Sequence, residues 1–169
     1  MKKRILPLVV VLHLCIMHVT AQSTYDQVYT ILQTKCTGYC HGSAHVSGLN
    51  FTGTSSEVYN RLVNVAPVNT TASAAGLKLV SPGNPYLSLL MKKVSHGLDP
   101  KNSLAAGMGN TMPDNSDTLS KAQIETVRQW IVWGAKDTGT THNANLIADY
   151  YTNGGIEEMA APLTPAEEG

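Results

Sequence analysis

Two cysteines and a histidine stand together in Cys36-Thr37-Gly38-Tyr39-Cys40-His41, and side chains of these types at this spacing can do one of three things. In an oxidising compartment the two thiols can close a disulfide across the intervening residues. Together with His41 and His45 they can supply the sulfur and nitrogen ligands of a zinc ion, although structural zinc sites usually draw their ligands from two separated pairs. The third possibility is covalent attachment of haem, in which two cysteine sulfurs bond the vinyl groups and the histidine after the second cysteine ligates the iron. The usual attachment motif leaves two residues between the cysteines, whereas here Thr37, Gly38 and Tyr39 intervene. A four-residue step on a helical turn still puts both sulfurs on one side, with Gly38 available to absorb the extra residue as a local bulge.

A haem iron with both faces filled needs a ligand opposite the histidine, and in low-spin electron carriers that ligand is often methionine. Beyond the N-terminal leader described below, the chain holds Met91, Met108, Met112 and Met159. Met91 falls on an apolar helix face and reads as core packing. Met159 lies near the C-terminus. Met108 and Met112 fall in a long polar stretch, Leu98–Thr118, where packing does not account for a thioether. Met112 is the first choice, because Pro113 stiffens the chain beside it, and Met108 is the runner-up. His45, four residues beyond His41, reads as a solvated loop histidine. His96, at a helix end, reads as a partner of the C-terminal dipole. His142 receives no role.

The elements that must position these groups are helical. Tyr25, Val28, Tyr29, Leu32 and Cys36 recur at steps of three and four and predict a helix running into the cysteine segment, with Asp26 in its first turn. Gly42–Thr54 reads as a loop. Ser55–Val65 predicts a short helix capped by Ser55 or Ser56, with Val58 and Leu62 inward. Ala66–Val80 is small, polar and aperiodic and reads as a surface loop. In Ser81–Gly97, Asn84 is an N-cap before Pro85, Leu87, Leu90, Met91 and Val94 form the inner stripe, and Gly97 ends the helix. A long loop such as Leu98–Thr118 inside one domain points to function or to disorder. Ser120 and Gln123 form a capping box for the last helix, with Leu119 as its staple residue and Ile124, Val127 and Ile131 inward. No strand set and no internal repeat stands out, so the fold class is all-α, about four helices with long loops. A dry cavity lined by Leu87, Leu90, Met91, Ile124, Val127 and Ile131 is the expected setting of a cofactor.

Composition narrows the setting. Lys2, Lys3 and Arg4 precede an apolar run from Ile5 to about Met17, and Val19 and Ala21 suit a cleavage site, so residues 1–21 read as a secretory signal peptide. The run is too short for a membrane span, and Cys15 goes with the leader. Cleavage removes three of the 12 basic residues and none of the 12 acidic ones, leaving 9 against 12 and a net charge near −3. That balance points away from nucleic acid and from an anionic membrane surface. Residues 22–138 form one domain, and 139–169 a weakly patterned tail. The implied location is periplasmic or secreted.

In the order Ile31–Gly42 (ILQTKCTGYCHG), Leu79–Val94 (LVSPGNPYLSLLMKKV) and Met112–Ala135 (MPDNSDTLSKAQIETVRQWIVWGA), the chain resembles a class I cytochrome c domain, most like the planctomycete-type c domains of secreted bacterial proteins. The resemblance spans about Tyr25 to Asp137 and implies an all-α fold around one covalently bound haem c. Carried over residue by residue, it implies attachment at Cys36 and Cys40 and axial ligation by His41 and Met112. It implies an electron carrier that meets redox partner proteins, with the mild negative charge favouring a neutral or basic one. The chain departs from the family in its cysteine spacing and in having no proline soon after His41, so no carbonyl is assigned to orient the imidazole. Tyr39, Arg61, Trp130 and Trp133 are candidate donors to the haem carboxylates. The alternatives are a haem enzyme or sensor of peroxide or a diatomic gas with an open sixth position, and a cofactor-free module with a Cys36–Cys40 disulfide.

Overall fold

Ser23 opens the first helix by accepting the Asp26 N–H at 3.0 Å, and the tyrosine, valine and leucine stripe behind it turns inward. The computed structural model of the chain describes residues 22–38, 40–42, 48–114 and 117–140. Helix α1 spans Thr24–Lys35, α2 Ser55–Leu62, α3 Thr70–Ala74, α4 Leu89–Val94 and α5 Lys121–Val132. Short 3₁₀ turns occupy Pro85–Leu87 and Pro100–Asn102. Among the described residues there is no strand, only the isolated parallel bridges Val63–Val80 and Lys78–Ser88, so this part of the chain is helical, compatible with the all-α class.

The core lies where α1 crosses α5, with α2 against α1 and α4 against α5. Tyr25, Val28 and Leu32 of α1 meet Ile124, Val127, Trp130 and Ile131 of α5, and Val58, Leu62, Met91 and Val94 close the flanks. The Tyr25 ring packs 5.2 Å from Trp130 and edge-on to Tyr59 at 5.1 Å. Its hydroxyl donates to the Ser55 carbonyl at 2.8 Å, tying α1 to the start of α2. The chain beyond α5 returns to α1, where Thr24 N–H donates to the Gly139 carbonyl at 3.0 Å.

Several local expectations change. The α2 cap is Thr54, not Ser55 or Ser56: its hydroxyl accepts the Glu57 N–H while Glu57 accepts the Thr54 N–H, a reciprocal box that a serine one residue later cannot form. The stretch expected to be a surface loop contains α3, a helix of five residues capped by Asn69. The helix expected from Pro85 is divided at Ser88. Asn84 does cap its start, but the Leu89 and Leu90 amides donate to Lys78 and Leu79 carbonyls at 2.8 and 3.0 Å instead of continuing a helical ladder. Ser88 does not cap α4 because its hydroxyl is committed to Ser81 N–H and the Asn84 carbonyl. That break turns Leu87 outward, where it is 43% exposed. The Ser120–Gln123 box and buried Leu119 are as the sequence predicts. Residues 1–21, expected to be a signal peptide, and Tyr39, His45, His142, Met159 and the rest of 141–169 lie outside the described residues.

Candidate functional site

A cavity of about 620 Å³ opens between the end of α1, the His41–Phe51 return, α4 and the methionine loop. That volume falls within the roughly 300–1,000 Å³ range of small-molecule and cofactor pockets. Its apolar walls include Phe51, Leu62, Leu79, Leu89, Leu90 and Val94. Of the residues expected to line it, only Leu90 does so. Met91, Ile124, Val127 and Ile131 belong to the helix-crossing core instead, and Leu87 faces outward.

Cys36, Cys40 and His41 share this cavity with both loop methionines, Met108 and Met112. Cys36 is the C-cap of α1, its N–H donating to the Leu32 carbonyl at 2.9 Å. The three-residue spacing is not taken up by a glycine-only backbone, because Gly38 is absent from the left-handed region. The segment closes instead by a bond from His41 N–H to the Cys36 carbonyl at 3.0 Å, five residues back, a wider turn than an α-helical one. Both cysteines are free thiols, Cys36 buried and Cys40 half-buried. Burial pushes the Cys36 thiol up to about 11, and the neighbouring Cys40 adds to the shift.

His41 is buried and its orientation is set by the backbone. Its Nδ1 lies 3.1 Å from the Leu49 carbonyl oxygen, which can only accept, so Nδ1 carries the proton and Nε2 the lone pair. The Phe51 ring packs 5.0 Å away, and Phe51 N–H donates to the His41 carbonyl at 3.0 Å. Gln33 of α1 reaches the Phe51 carbonyl and holds this return against the helix. The carbonyl of Leu49 thus does what the absent proline was not there to do, and no side chain announces it.

The two methionines differ in setting. Met108 is buried in a second apolar cluster with Ala72, Leu77 and Leu89, so packing does account for it, contrary to the expectation from the polar loop. Met112 is half-buried, and its main chain is tied to the end of α4. Its N–H donates to the Lys93 carbonyl at 2.7 Å, and its carbonyl accepts from His96 Nε2 at 2.8 Å. His96 is therefore a tether of the methionine loop rather than a dipole partner. Lys93 lines the cavity, and burial draws its ammonium below the usual lysine range against the opposing pull of Asp114. Lys35, next to Cys36, forms an ion pair with Asp117 at the cavity wall.

Two of the expected carboxylate donors, Arg61 and Trp130, are engaged elsewhere, and the buried Trp133 Nε1 has no hydrogen-bond partner among the described residues. Arg61 donates to the Asn50 and Thr52 carbonyls, and Trp130 Nε1 donates to the Lys136 carbonyl at 2.8 Å. Neither they nor Trp133 lines the cavity, whereas Lys35, Lys93, Asn69 and Asn110 do. Among the described residues no three His, Cys, Asp or Glu side chains converge as a metal cluster, and His45 of the zinc alternative lies outside them. No described helix is long and apolar enough to cross a membrane. Comparison with family models, curated proteins and solved structures returns no match.

Proposed function

We propose that the chain is a mono-haem c-type cytochrome of the class I, planctomycete-type kind, periplasmic or secreted, that carries single electrons by outer-sphere transfer to redox partner proteins. One observation carries the reading. Two thiols, an imidazole whose basic nitrogen is set to Nε2 by the Leu49 carbonyl, and two thioethers all border one apolar cavity of cofactor size.

The donor set fits haem c. Cys36 and Cys40 would hold it, each thiol adding across one vinyl group with its hydrogen passing to carbon, which requires both sulfurs reduced but no oxidant. His41 and Met112 would ligate the haem iron. Bound there, the haem supplies a one-electron couple between ferrous and ferric iron. The Met112 sulfur favours the ferrous state relative to two nitrogen ligands. The leucine walls act in the same direction, because an apolar setting disfavours the extra positive charge of the oxidised centre. Lys35 and Lys93 are cations on the cavity wall, Lys35 paired with Asp117 and Lys93 donating to the Met108 and Asn110 carbonyls. An iron held by both His41 and Met112 would keep no place for a substrate, which favours a carrier over an enzyme.

Carbon monoxide separates the alternatives. The protein is expressed in a host that attaches haem c, reduced, and exposed to the gas. A carrier keeps its reduced spectrum unchanged. A carbon monoxide spectrum would turn the reading to an enzyme or sensor with an open sixth position. A colourless protein would leave the disulfide module.

A further inference from the structure

The loop that carries both thioethers is held by side chains that are not ligands themselves. Asn69 Nδ2 donates to the Gly107 carbonyl at 3.0 Å. Lys93 Nζ donates to two carbonyls, those of Met108 and Asn110, each at 2.7 Å. The Lys93 carbonyl accepts the Met112 N–H at 2.7 Å, and His96 Nε2–H donates to the Met112 carbonyl at 2.8 Å. The end of α4 therefore grips Met112 through both of its main-chain groups, while the ammonium one turn earlier gathers the approach to it. The contact is close: a Cβ added at Gly109, already at φ +77°, would lie 3.2 Å from Lys93 Nζ. Bonds from a cation to carbonyls are the stronger kind, and the one to the Met108 carbonyl lies partly out of water. A half-buried lysine usually keeps its ammonium in solvent, so two loop carbonyls at the cavity wall are a specific use of it.

We infer that Lys93 and His96 are positioning residues that present the Met112 thioether to the iron and keep external ligands from replacing it. The inference rests on the cytochrome reading, because only a bound iron makes the loop's position a matter of ligation. The loop carries two thioethers and two glycines, Gly107 and Gly109, and an opened loop would leave the iron to any small nitrogen base in solution. An external ligand binds only the open fraction of the loop, so its apparent affinity measures that fraction.

The test uses haem-loaded full-length protein and imidazole as the probe. Lys93→Met removes the two ammonium bonds. His96→Asn keeps a residue type tolerant of the φ of +46° found there, with an amide too short to reach Met112. Lys93→Arg retains the cation and its donors, and Lys92→Met is the control, since Lys92 does not line the cavity. Covalent haem on a denaturing gel and helical circular dichroism establish loading and folding. The red charge-transfer absorption of a ferric thioether–iron bond reports ligation. Lys93→Met and His96→Asn each bind imidazole about tenfold tighter than wild type, the effect of one lost charge-assisted or buried hydrogen bond on the open fraction. Lys93→Arg and Lys92→Met stay close to wild type. Should Lys93→Met fail to fold, His96→Asn carries the test. Unchanged imidazole affinity in the folded variants overturns the clamp and leaves the cytochrome reading standing. A wild-type chain without haem overturns both, and is seen before any variant is made.

Discussion

Met108 and Met112 are four residues apart and border the same cavity, yet their surroundings assign them different work. Met108 fills a space between Ala72, Leu77 and Leu89, so Met108→Ala costs about 2–5 kcal/mol of stability as a buried large-to-small change, with the optical bands unchanged. Met112 is half-buried, so Met112→Ala costs less stability but abolishes the thioether band and admits carbon monoxide. Denaturant unfolding and visible spectra of the two variants check both halves, and a swapped pattern would move the ligand to Met108. The cysteines are also unequal. With its thiol pushed up to about 11, Cys36 is almost wholly protonated near neutrality, and its thiolate fraction rises as pH climbs towards that value. In protein made without haem, iodoacetamide at mildly alkaline pH labels the more exposed Cys40 before Cys36, with the gap narrowing as pH rises. Peptide mass mapping checks the order, and Cys36 reacting first would contradict it.

At the scale of elements, the sequence was most legible where neighbours in the chain are also partners in space. The α1 stripe, the Asn84 cap and the Ser120–Gln123 box are local patterns, and each appears where its pattern lies. The contiguous Cys36, Cys40 and His41 were legible for the same reason. The break at Ser88 was not, because the amides that end the helix find carbonyls on Lys78 and Leu79. Nor was α3, since five residues are too few to show a helical period. The roles of Lys93 and His96 depend on carbonyls about 15 residues or more away, and a backbone carbonyl such as that of Leu49 has no residue-type signature. The sequence also gives no warning of the buried charge on α5, where Glu125 accepts from Arg128 and from Gln129 with all three side chains shielded. Glu125→Gln deprives the Arg128 guanidinium of that carboxylate and costs about 3–5 kcal/mol, whereas replacing both residues with methionine is far milder. Urea midpoints of the single and double variants check the difference. Tyr25→Phe loses only the bond to the Ser55 carbonyl and costs about 1 kcal/mol in the same assay.

At the scale of the whole molecule, the described residues form two linked compartments: a dry core at the α1–α5 crossing, and an apolar cavity beside it walled by the end of α1, Leu62 of α2, α4 and two returning loops. The core forms from the chain's own side chains, whereas under the proposed function the cavity would be filled by haem. Anything that binds only the folded state stabilises it, so haem loading raises the thermal midpoint, and protein made without haem loses near-ultraviolet dichroism of Phe51 and the cavity wall before it loses helix. Calorimetry and circular dichroism on loaded and haem-free protein check that order. The most direct measurement of the central claim is the intact mass of the denatured chain after expression in a host with haem-c maturation. The account predicts a single species heavier than the polypeptide by one haem, with the added mass mapping to the peptide that contains Cys36 and Cys40. A chain at the bare polypeptide mass, with those two cysteines free or joined to each other, would contradict it.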